Sequence, residues 1–110
     1  MSDKRDSKRI PFRVMLDYGP KDPPAHRSFA TDLSDTGVCI KTNKVFKPGV
    51  ELYMNIEIGE KTYPAYGVIM WAKVVPPRLV RVIKNGMGVR FTYMDPGLLE
   101  EYNKKKEGIA

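Results

Sequence analysis

Apolar and polar residues alternate with a period of two along most of this 110-residue chain, which predicts strands with one buried face. Ile10, Phe12, Val14 and Leu16 alternate with Pro11, Arg13, Met15 and Asp17, and Pro11 puts the start of this strand at an edge or entry position. Tyr18 to Pro24 holds three prolines and a glycine, which predicts a loop. His26 to Thr31 forms a short second strand. Val38, Ile40 and Thr42 alternate with Cys39 and Lys41 in a third, and Lys47-Pro48-Gly49 marks a turn. Val50, Leu52, Met54, Ile56 and Ile58 give the cleanest alternation, and Gly59-Glu60 suits a tight hairpin. The next strand runs from about Lys61 to Val74, with a bulge or kink at Pro64 and Gly67, and Pro76-Pro77 ends it. Leu79 to Ile83 and Met87 to Tyr93 flank Asn85-Gly86, which predicts a hairpin. Asp95-Pro96 reads as an N-cap followed by an N1 proline. The short helix it opens runs to about Lys104, with Leu98, Leu99 and Tyr102 covering a sheet edge or barrel mouth.

Six or seven strands with hairpin connections and one terminal helix predict an all-β fold, a small antiparallel β-barrel. Residues 1–9 have no apolar side chain after Met1 and predict a mobile basic arm in the free protein. The barrel takes residues 10–95, and a helix with a basic tail takes residues 96–110. Trp71, Met54, Met70, Met87 and Met94 are expected in the core. Tyr53, Tyr63 and Tyr66 are expected on an exposed sheet face that a partner protein would use.

The formal net charge is +6, which suggests an anionic partner. Lys4, Arg5, Lys8, Arg9 and Arg13 crowd the first thirteen residues, whereas Lys104-Lys105-Lys106 reads as a solvated tail. No apolar run approaches the ~18 residues of a membrane span. The charged N-terminus lacks the apolar segment of a signal peptide. One cysteine cannot form an internal disulfide, and a cytoplasmic protein is expected.

Catalysis and metal binding find little support. His26 is the only histidine and Cys39 the only thiol, so no zinc set of several His and Cys ligands forms within one chain. Cys39 falls inside a strand, where a buried, unreactive thiol is the common outcome. His26 is expected to be solvated at a loop edge. Gly86-Met87-Gly88 leads into a strand, not a helix, so it is no phosphate loop. We expect no enzyme and no cofactor.

Two stretches carry chemistry. Arg5-Asp6-Ser7-Lys8-Arg9 sets two guanidiniums four residues apart, and an arm of this kind can close on an anion. Each arginine offers a planar fork to phosphate oxygens or to guanine O6 and N7. In Thr31-Asp32-Leu33-Ser34-Asp35-Thr36-Gly37 the short polar side chains favour a turn, and Gly37 can adopt φ > 0. If locally extended, Asp32 and Ser34 share a face, placing a carboxylate acceptor beside a hydroxyl.

RxxxR directly before a strand, followed by DxSxxG, resembles the PilZ domain family. The resemblance extends through Arg9-Ile10-Pro11, Lys47-Pro48-Gly49, Val68-Ile69-Met70-Trp71 and Gly88-Val89-Arg90-Phe91, over roughly residues 4 to 95. It implies a six-stranded split barrel that binds cyclic di-GMP. By position, Arg5 and Arg9 would grip phosphates and guanine edges, Asp32 and Ser34 would hydrogen-bond the ligand, and Gly37 would shape the loop. Lys4 occupies a position where an arginine often favours an intercalated ligand dimer; lysine lacks that fork, and Lys4 and Lys8 are auxiliary candidates. Trp71 receives no stacking role.

The resemblance implies a receptor and adaptor whose ligand orders the arm, changing the surface offered to a downstream protein. In this family such effects concern motility, biofilm matrix and virulence. Two alternatives stand beside it. One is a PilZ-like protein-interaction module that does not bind nucleotide. The other is a small basic barrel for single-stranded nucleic acid, which calls for interleaved aromatic and basic residues; only Arg90-Phe91 with Tyr93 provides them.

Overall fold

A computed structural model describes residues 10–76 and 85–109. Six strands, β1 (Ile10–Gly19), β2 (His26–Leu33), β3 (Gly37–Lys41), β4 (Glu51–Ile58), β5 (Lys61–Lys73) and β6 (Gly86–Met94), precede one helix, α1 (Pro96–Ile109). All neighbouring strands pair antiparallel, and the order β1-β2-β3-β6-β5-β4 closes on itself. Each strand has two neighbours, although β1 meets β4 only from Met15 to Gly19, so the β4 side of residues 10–14 has no strand partner among the described residues. Pro11 lies on this stretch, an entry with one open edge, just before a register shift in β1.

Alternation sends one face of each strand inward. Leu16, Leu33, Val38, Ile40, Leu52, Ile56 and Met87 are wholly buried there. Burying such side chains stabilises the fold by roughly 1.5–3 kcal/mol each. Tyr18 is also buried; its hydroxyl donates to the Lys44 carbonyl at 2.7 Å and lies 2.7 Å from Thr42 Oγ1. Burial pushes its phenol pKa up.

Turn chemistry follows the sequence at two glycines. Gly49 has φ +93° and closes a turn in which the Val50 amide donates to the Lys47 carbonyl at 3.1 Å. Gly59 has φ +64° in the two-residue hairpin joining Ile58 to Lys61, as a type II′ turn requires at its first central position.

Several expectations are corrected. Both edges of β6 are taken, by β3 and β5, so no hairpin forms on β6 across Asn85-Gly86; Leu79 to Ile83 lie outside the described residues. Gly86 lacks the positive φ that a type I′ turn needs. Asn85 instead ties strand ends together, accepting from the Val75 amide at 2.7 Å and donating to Asn43 at 2.8 Å. His26 is not a solvated loop residue: it opens β2 and packs against Tyr18 and Phe46, with ring centroids 5.6 and 5.5 Å away. Met70 and Trp71 are exposed and not core.

The helix begins as its sequence predicts and runs further. Asp95 Oδ2 accepts from the Gly97 amide at 2.8 Å, satisfying one orphan donor of the first turn. Leu98 and Tyr102 are buried in the barrel's own core, while Leu99 is exposed. The Tyr63 hydroxyl donates to Glu101 at 2.9 Å, and the Lys105 ammonium lies 5.5 Å above the Phe12 ring. The helix thus covers the barrel end where β1 starts and β2 turns into β3. Tyr63 belongs to this packing and not to an open face.

Candidate functional site

The turn between β2 and β3 is built around Ser34. Its amide donates to the Gly37 carbonyl at 2.9 Å. Its hydroxyl accepts from the Thr36 and Gly37 amides at 3.1 and 3.0 Å. Four loop residues are thereby closed by one side chain, the local bonding that serine favours in turns. Ser34 is fully buried, so its hydroxyl shapes the loop from within. β2 ends at Leu33, and Ser34 turns inward beyond it while Asp32 stays half-buried on the strand, so the two do not share a face. Gly37 does not use a positive φ; it sits in register with Arg90.

Asp32 is half-buried and lies in register with Pro11 on one side and Cys39 on the other. Leu33, Val38 and Ile40 point into the core, so Asp32 and Cys39 occupy the outer side of the sheet. Ile10, which follows the basic arm directly, pairs with Leu33. The chain therefore leaves the arm beside the Asp32 carboxylate. Arg5, Arg9, Lys4 and Lys8 themselves lie outside the described residues.

Next to this turn is an open cleft of about 190 Å³ lined by Thr36, Gly37, Met70, Trp71, Gly88, Val89 and Arg90. The Phe91 amide donates to the Thr36 carbonyl at 2.7 Å, fixing the turn against β6. Trp71 is 45% exposed, and its indole lies across Gly88, where a Cβ would overlap Nε1. An apolar cavity of about 150 Å³ accommodates benzene, so this cleft has room for one planar ring system and not for a whole dinucleotide. Sequence reasoning placed Trp71 in the core and missed its position beside the turn. The available signal was Gly88, a glycine at an outward position of a regular strand, which marks a close approach.

The helix reaches the same end. Burial pushes the Tyr102 phenol pKa up, and the nearby Asp35 carboxylate adds to the effect. Tyr63 is raised mainly through its hydrogen bond to Glu101. Among the described residues no three His, Cys, Asp or Glu side chains are grouped to hold a metal ion, and no helix is long and apolar enough to cross a membrane.

The sequence profile of the PilZ domain matches residues 3–104, nearly the whole chain. A closed six-stranded barrel carrying DxSxxG on its β2–β3 turn accompanies that match, and this chain belongs to the PilZ domain family. In three dimensions it is similar to the Bacillus subtilis inhibitor of motility, MotI (DgrA), with a TM-score of 0.75 at 15% identity. That likeness covers 97% of this chain and 53% of the MotI chain, so this chain spans about half of its structural relative and the similarity is one of fold. No curated protein matches the sequence.

Proposed function

We propose that this chain is a cyclic di-GMP receptor without catalytic activity, acting in the cytoplasm as an adaptor for a downstream protein. The observation that carries the proposal is the register of Pro11 with Asp32. It brings the entry of the arginine-bearing arm beside the carboxylate, and the row of partners Asp32, Cys39, Gly88 and Trp71 runs from there to the cleft.

Each part suits one portion of the ligand. Two phosphates call for cations, and Arg5 and Arg9 provide them as bidentate forks from the arm. A guanine Watson–Crick edge offers N1–H and N2–H₂ donors, and Asp32 is the acceptor. A base placed in the neighbouring cleft stacks on the Trp71 indole, a contact of roughly 1–3 kcal/mol. Ser34 and Gly37 hold the loop that aligns these groups. Lys4 and Lys8 add charge, and closure of the arm over the ligand alters the surface read by the partner.

Trp71 is the chain's single tryptophan, which makes it a probe of its own site. Titration with cyclic di-GMP should change its emission saturably, and an adenine cyclic dinucleotide at equal concentration should not. An unchanged spectrum at ligand concentrations that saturate a calorimetric signal would remove Trp71 from the site. No response by either method would remove the ligand.

A further inference from the structure

Five of the seven large hydrophobic side chains exposed among the described residues, Tyr66, Met70, Trp71, Val74 and Tyr93, lie on or just beyond β5 and β6. They form one outer face with β4. Strand registers arrange its centre in two rows. Tyr53 on β4 lies opposite Tyr66 on β5, which lies opposite Tyr93 on β6, with successive ring centroids 5.4 Å apart. One step along, Glu51 lies opposite Val68, which lies opposite Arg90.

Glu51 and Arg90 are both exposed, and neither has an ion-pair partner among the described residues. They stand about 10 Å apart, twice the spacing of neighbouring strands. The far end of β4, with β1 and β2 beyond it, is different. There Arg27 donates to Asp17 at 3.0 Å and to both oxygens of Glu57 at 2.7 and 2.9 Å, and its hydrogen bonds hold the Glu57 carboxyl below its ordinary pKa. Those charges are matched among the described residues; Glu51 and Arg90 are not.

We propose that this face is the contact of a symmetric homodimer. An isologous interface demands that if residue i meets residue j, then j meets i. A two-fold axis laid along β5 satisfies this in both rows. Tyr66 and Val68 fall near the axis and meet their own copies. Tyr53 meets the second copy's Tyr93, and Glu51 meets its Arg90, twice. The two sheets then pack face to face with strands aligned to within about 30°. Tyr, Trp and Met are the residues enriched at such contacts, around a core depleted of charge. A second copy is the occupant because the face is complementary to itself, acidic on one flank and basic on the other.

The test is sedimentation velocity over a dilution series of the ligand-free chain, from about 5 to about 500 µM, a window that brackets contacts of micromolar strength. The wild type should shift from monomer to dimer within that range. Glu51→Arg alone opposes two cations at each end of the contact, and Arg90→Glu alone opposes two carboxylates there. Each should weaken dimerisation at least about 10-fold, because like charges opposed across an interface are repelled. The double variant should dimerise again. An equimolar mixture of the two single variants should form a heterodimer more tightly than either variant pairs with itself. A monomer at every concentration overturns the proposal and leaves the face to an unrelated protein. Dimers that persist in both single variants, or singles not rescued by mixing, also overturn it.

Discussion

Replacing Arg5 or Arg9 by alanine should weaken cyclic di-GMP binding about 10- to 100-fold while leaving thermal stability unchanged. Hydrogen bonds to charged groups contribute roughly 1.5–3 kcal/mol each, and about 1.4 kcal/mol is one decade in affinity. Losing the equivalent of one such bond per residue therefore gives about one to two decades. Stability should hold because the barrel core is built from Ile10 onward. Lys105→Ala serves as the control for diffuse charge: its ammonium rests over Phe12 at the helix, and its loss should change affinity little. Equal losses at Lys105 and the arginines would mean that net charge, not a site, attracts the anion.

Gly67→Ala and Gly88→Ala should separate stability from site geometry. A Cβ on Gly67 would come within 2.6 Å of the Arg90 carbonyl oxygen and of Val89 Cγ1. The carbonyl belongs to a paired strand and cannot move aside without breaking the β5–β6 register. Overpacking of this kind costs about 1–3 kcal/mol, which at about 4–8 °C per kcal/mol lowers Tm by roughly 5–20 °C. The three atoms nearest a Cβ on Gly88 all belong to the Trp71 indole; it would overlap Nε1 and stand 2.5 Å from Cε2. That ring lies on the exposed face and can swing away. Gly88→Ala should therefore lower Tm less than Gly67→Ala, yet shift the tryptophan emission and reduce its response to ligand. Thermal melts and emission spectra of the two variants check this. Equal melting with unchanged emission in both would contradict the assigned position of the ring.

Much of the fold was legible because it rests on local rules. The alternation of β4, the Gly59 hairpin and the Asp95 cap each follow from a few adjacent residues, and each is present. The errors came from tertiary pairing. Asn85-Gly86 has hairpin composition, but closure gives β6 the partners β3 and β5. Trp71 and Met70 sit in an apolar run that reads as core. Alternation from the buried Ile69 already turns Met70 outward, whereas a register irregularity between Ile69 and Trp71 sets Trp71 on the same face, and no periodicity reveals a bulge before the partner strand is known. The candidate site was legible as two motifs and not as geometry. Ser34 has the composition of a ligand contact, but its hydroxyl is consumed by the amides of Thr36 and Gly37. The cleft beside the turn joins β5 and β6 to the β2–β3 loop, so its residues are distant in sequence and share no spacing.

The central claim is recognition of guanine, not of charge, and paired calorimetric titrations test it most directly. Cyclic di-GMP and cyclic di-AMP carry the same two phosphates, but only guanine offers N1–H and N2–H₂ to the Asp32 carboxylate. A buried polar group denied its partner costs about 1–3 kcal/mol, and more when charged. With two guanines in the ligand, the guanine dinucleotide should bind at least about 100-fold more tightly. Asp32→Ala should remove most of that difference while leaving weak, salt-sensitive anion binding. Comparable affinities of the wild type for both dinucleotides, or no heat from either, would contradict the receptor assignment.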